Sequence, residues 1–148
     1  MNFMKNEEIA QNIFRNGFNC AQAVLTAYCT KYNLDNESAR KLSCGFGGGC
    51  AHQSLTCGAV SAAYMVIGLK YGKVIQEDNK ARDITYTKIL EFSNTFISIN
   101  NSINCKELLG IDLATSEGQE YFKENNLSNK KCTNYVKNAC MILDSMGL

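Results

Sequence analysis

Apolar residues recur at helical spacing along nearly the whole of this chain, and no proline interrupts them. Proline removes a backbone N–H and drives its ring into the preceding turn, so a chain without it is free to run in uninterrupted helices. The spacing predicts an opening helix over about Asn6–Asn16, with Ile9, Ile13 and Phe14 on one face and Gly17 closing it. A second follows from Cys20 to Tyr32, its stripe made of Ala21, Val24, Leu25, Tyr28 and Tyr32. Asp35-Asn36-Glu37-Ser38 has the composition of an N-cap and opens a short helix that ends before Cys44. Gly45-Phe46-Gly47-Gly48-Gly49 reads as a loop. From Cys57 to Tyr71 the chain is apolar almost all round, as the central helix of a bundle must be, and Gly72 ends it.

A long helix over Asp78–Asn100 carries Thr85, Ile89, Phe92, Phe96 and Ile99 on one stripe. A helical turn or two at Asn104–Gly110 precedes a short helix near Ser116–Asn125. The final helix starts near Ser128 and has Cys132, Val136, Ala139, Cys140 and Leu143 on one face. No apolar–polar alternation of period two lasts long enough for a sheet. The expectation is an all-α, compact, single-domain bundle of about six to eight helices over residues 1–148.

Length and charge narrow the function classes. The 148 residues suit one domain. Fifteen Lys and Arg against 14 Asp and Glu leave a net charge of +1, without the basic stripe that a nucleic-acid module needs. The most apolar stretch, Cys57–Leu69, is shorter than the roughly 20 residues of a membrane span. Met1–Glu8 lacks the apolar region of a secretory signal. The expected compartment is therefore the cytoplasm, where the 8 cysteines stay reduced.

Those cysteines stand at positions 20, 29, 44, 50, 57, 105, 132 and 140. None forms C-x-x-C, so thioredoxin-type redox motifs and paired zinc knuckles are absent, as is the bacterial ferredoxin run. Local context is more informative than spacing. Asn19-Cys20, Thr56-Cys57 and Asn104-Cys105 each set a cap-type residue before a Cys that opens a helix, and Cys132 falls in the first turn of the last one. Free N–H groups and the positive end of the helix dipole favour a thiolate there. Four such ends brought together suit a metal, an iron–sulfur cluster or a redox-active dithiol.

Gly17-x-Asn19-Cys20-x-Gln22, Cys57-Gly58-Ala59-x-x-Ala62, Cys105-x-x-Leu108-Leu109-Gly110 and Cys132 together resemble the C_GCAxxG_C_C family of small four-cysteine redox proteins. Gly68-Leu69-Lys70-Tyr71-Gly72 also fits that family's helix end. The departure is Ala62, where the family motif has Gly. The resemblance implies a helical, prokaryotic redox domain whose working set is Cys20, Cys57, Cys105 and Cys132. Similar domains occur joined to haem-bearing electron-transfer proteins, which implies an iron–sulfur cluster, most simply [2Fe–2S], as the cofactor and electron transfer as the role. The alternatives are a metal-free thiol–disulfide protein and a structural zinc site.

The remaining candidates have plainer expectations. Cys29 and Cys140, on apolar helical faces, are expected to pack as small hydrophobes. Cys44 and Cys50 flank the glycine loop, and packing and thiol chemistry stay open for both. His52, the only histidine, is expected as a partly exposed loop residue, with a proton donor, a fifth ligand or a Cys-His pair as alternatives. The glycine loop lacks a nucleotide-binding pattern and is expected to let backbone approach the sulfurs. No catalytic residue is assigned. The expected partner is a redox protein, with no nucleic acid and no membrane span, and a homodimer is compatible with the composition.

Overall fold

A computed structural model describes residues 3–148; Met1 and Asn2, part of the start expected to carry no secretory signal, lie outside the described residues. Eight regular α-helices follow in order: α1 Asn6–Arg15, α2 Cys20–Tyr28, α3 Asn36–Ser43, α4 Gly58–Tyr71, α5 Asn79–Asn100, α6 Cys105–Leu109, α7 Ser116–Glu124 and α8 Thr133–Ser145. Among the described residues there is no strand, only an isolated antiparallel bridge between Thr56 and Asn104. No helix there is long and apolar enough to cross a membrane.

The centre is α4, whose apolar residues face neighbours on most sides. Val60, Ala62, Ala63, Val66 and Ile67 are completely buried. It packs against α2, α5 and α8, while α1 closes over α2 and α8. Val24 and Leu25 of α2, Phe92 and Phe96 of α5, and Val136 and Leu143 of α8 complete the core. Each such side chain contributes about 1.5–3 kcal/mol by leaving water. Tyr28 fastens α2 to α8: its hydroxyl lies 2.9 Å from the Cys140 carbonyl and 2.7 Å from the Asp144 carboxylate.

Two boundaries and one buried stripe differ from the sequence expectation, each for a local reason. The second helix stops at Tyr28, and Cys29–Tyr32 tighten into a 3₁₀ turn that Asn33 ends in the left-handed region. On α5, Thr85, Phe92 and Phe96 are buried, Ile89 is half-buried and Ile99 is exposed. At about 100° per residue, Ile89 and Ile99 stand about 40° to either side of the Thr85 line, so the predicted stripe is wider than the contact. Residues Ser128–Cys132 form a wide π turn, and regular α-helix begins only at Thr133.

Candidate functional site

Cys20 is the first residue of α2. Asn19 caps that helix by a reciprocal pair: Gln22 N–H donates to Asn19 Oδ1 at 2.9 Å, and Asn19 N–H donates to Gln22 Oε1 at 3.1 Å. The Asn19 side chain also donates to the Cys44 carbonyl at 2.8 Å, tying the helix start to the glycine segment. Gly58 lies against this sulfur so closely that a Cβ there would stand 2.5 Å from Cys20 Sγ and 2.7 Å from the Phe46 carbonyl oxygen. Only glycine lets α4 begin at that spot.

Cys57 corrects one expectation. It is itself the N-cap of α4, and Thr56 does not cap the helix. Thr56 instead bridges Asn104, and that bridge is what brings two cysteines distant in sequence together. Cys57 N–H donates to the Ile103 carbonyl at 2.8 Å, and Cys105 N–H to the Leu55 carbonyl at 2.6 Å. Cys105 opens α6 behind Asn104, whose Oδ1 accepts from Glu107 N–H at 3.3 Å. Cys132 closes the π turn that leads into α8.

Cys20, Cys57, Cys105 and Cys132 line a single cavity of about 290 Å³. Leu108, Leu109, Leu113, Phe122 and Tyr135 supply most of its apolar wall, and Asn19, His52, Gln119 and Lys123 are its polar members. The other four cysteines do not line it. Cys29 and Cys140 are fully buried in the main core, as expected. Cys44 is exposed and Cys50 half-buried. His52 is exposed at the cavity rim, so the expectation of an accessible loop histidine holds.

The glycine segment does approach the site, by a route that sequence reading missed. Gly48, Gly49, Cys50, Ala51 and His52 have φ of 65°, 68°, 68°, 52° and 63°, a left-handed turn of five consecutive residues. For the non-glycine members such a conformation costs about 1–2 kcal/mol each. It is held by Ser54 N–H donating to Gly48 carbonyl at 3.2 Å and Leu55 N–H to Gly49 carbonyl at 2.9 Å. The result is that Gly49 backs directly onto Cys105, where a Cβ would lie 2.8 Å from that residue's own. Three successive glycines were the available signal.

Burial dominates the electrostatics. Desolvation raises the Cys20 thiol, although N–H groups of Gly48, Ala21 and Ala59 near it pull the other way. Cys57 is raised well above the ordinary thiol value, by burial first and then by the neighbouring Cys20 thiol. Cys105 is pushed up to about 12 by burial and by Cys20. Cys132 is raised for the same reasons, with Lys131 opposing. The expectation that helix starts would favour thiolates is thus overturned: in the metal-free protein, loss of water outweighs the dipole. A positive centre among the four sulfurs would reverse that balance.

A family pattern matches residues 18–146, a span that includes all four cavity-lining cysteines. The chain belongs to the C_GCAxxG_C_C family. That family carries the description "putative redox-active protein". No curated protein and no solved structure gives a further match. Within this C_GCAxxG_C_C protein, the Ala62 methyl is completely buried inside the α4 packing.

Proposed function

We propose that Cys20, Cys57, Cys105 and Cys132 ligate an iron–sulfur cluster, in its simplest form [2Fe–2S], and that the protein passes single electrons to and from a partner protein. The observation that carries this reading is the convergence of these four thiols, and of no other cysteine, on one largely apolar cavity. The donor set suits it, because soft thiolates are the ligands of such clusters. Among the described residues, no three His, Cys, Asp or Glu side chains are already grouped to hold a metal ion, so a cluster or a zinc ion alike would have to draw these sulfurs together. A two-iron centre takes its four sulfurs as two pairs. When bound, the cluster supplies the one-electron carrier.

The chain's own residues supply the surroundings. The Leu108, Leu109, Leu113 and Phe122 wall gives the sulfurs an apolar surround. Backbone N–H groups around Cys20 favour the reduced state by offering donors to sulfur. Loading must expel protons from thiols that burial holds protonated, so uptake rises with pH. A metal-free dithiol enzyme is less well supported, since a nucleophilic cysteine needs a lowered thiol value and access, and these four have raised values.

Anaerobic reconstitution with ferrous iron and sulfide tests the reading. Wild-type protein and Cys140→Ser should develop the same visible absorption, while Cys57→Ser should lose or shift it. Equal loss in both variants would contradict the four-ligand set.

A further inference from the structure

Cys105 sits on a weak support, and Cys132 stands across the cavity from it at the start of α8. Cys105 starts a helix of five residues and has no long packed helix of its own, whereas Cys132 ends a π turn and is the N-cap of α8. A five-residue helix also leaves its last carbonyls without partners along its own axis. Two side chains from the other strut of the site meet those carbonyls. Tyr135 Oη donates to the Leu108 carbonyl at 2.8 Å, and Lys131 Nζ lies 3.5 Å from the same oxygen and 3.4 Å from the Leu109 carbonyl. Lys131 adjoins Cys132 in sequence, and Tyr135 follows it by one helical turn.

Tyr135 has a second anchor. The main core and the small cluster around Cys105, Leu109 and Leu113 share it, and among the described residues it alone packs on both. Its ring lies 6.4 Å from that of Phe96, which in turn stacks on Phe92 at 5.9 Å. One end of the side chain is therefore set in the rigid core, and the other holds the end of α6.

We infer that Tyr135 and Lys131 are positioning residues: a clamp on the carbonyl end of α6 that sets the gap between Cys105 and Cys132 across the cavity. Its bearing on electron transfer rests on the four-sulfur reading above, but the clamp itself is a property of the metal-free protein. It acts on geometry alone and makes no bond to the sulfurs.

The test is site-resolved alkylation of reduced, metal-free protein with iodoacetamide, read by mass spectrometry. The variants are Tyr135→Phe, Lys131→Met, the two combined, and Lys131→Arg as the conservative control. Loss of one hydrogen bond is worth about 1 kcal/mol, a factor of about five in a local opening equilibrium. The combined variant should alkylate at Cys105 and Cys132 about fivefold faster or more, with Cys20 and Cys57 unchanged and Cys29 and Cys140 still protected. Lys131→Arg should stay near wild type. Equal acceleration at all six cysteines, with a lowered Tm, would mean general loosening and overturn the clamp. No acceleration at Cys105 and Cys132 would overturn it too. Failure of wild-type protein to take up iron and sulfide would sink the cluster reading but leave this result standing.

Discussion

Cys20 and Cys57 meet where two core helices, α2 and α4, begin against each other, with Gly58 flush on the Cys20 sulfur. Cys105 faces them from a five-residue helix in a small cluster apart from the main core, and Cys132 from a wide turn that runs into α8. The first pair is held by packing, whose cost of disturbance is spread over many buried side chains. The second is held by identifiable hydrogen bonds: Cys105 N–H to Leu55, Leu113 N–H to Ser54 Oγ, and the Tyr135 and Lys131 grip on α6. A site built this way has a rigid half and an adjustable half. The strained left-handed turn at residues 48–52 reaches both, with Gly49 against Cys105 and Gly48 in the cavity lining beside Cys20.

The sharpest way to break this contrast is at Gly58. Gly58→Ala places a methyl where Cys20 Sγ and the Phe46 carbonyl already are, so the rigid half must shift. Overpacking of this kind costs about 1–3 kcal/mol. Thermal unfolding should show a clear fall in Tm, and reconstituted protein should lose most of its visible absorption. Gly110→Ala in the adjustable half meets no neighbouring atom and suffers only from its φ of 72°, so a loss of about 1 kcal/mol with absorption retained is expected.

A high-pH titration of the metal-free protein comes next in size. Thiols raised in the folded state stay protonated there while unfolded thiols ionise. The unfolded chain then binds fewer protons, and stability falls as pH rises. The full contribution is present below 9.0, the ordinary thiol value, and for Cys105 it drains away as pH climbs from there toward about 12. Denaturant unfolding midpoints should decline steadily over that interval, and Cys105→Ala should flatten part of the decline. A flat profile in the wild type would mean that these thiols are not desolvated.

The smallest effect is expected at Phe122, half-buried on α7, where only Gly118 is fully covered. Phe122→Ala trims the wall of the adjustable half, so Tm should change little. Alkylation of Cys105 and Cys132 should still speed up relative to Cys20 and Cys57. An equal rise at Cys20 would show the cavity to be one unit without two halves.

How much of this was readable in the residues differs in the same way between the halves. The order of the helices, the apolar α4 and the caps at Asn19 and Asn104 follow from spacing and side-chain chemistry that act locally. Burial of Cys29 and Cys140 was likewise legible from helical faces. The Thr56–Asn104 bridge and the π turn at Ser128–Cys132 have no local pattern that encodes them, and the left-handed run at Gly48–His52 is signalled only by its successive glycines, which do not show that it continues through Cys50, Ala51 and His52. The thiol values were misjudged for that reason. A helix start is visible in sequence, but the apolar wall that Leu108, Leu113 and Phe122 bring to the thiols is not.

The most direct test of the central claim is an ultraviolet–visible spectrum of anaerobically purified protein, with iron, sulfide and zinc assayed on the same sample. The account predicts visible charge-transfer bands with iron and sulfide in equal amounts and little zinc. A colourless protein that remains free of iron after reconstitution, or one that holds zinc in place of iron, would contradict it.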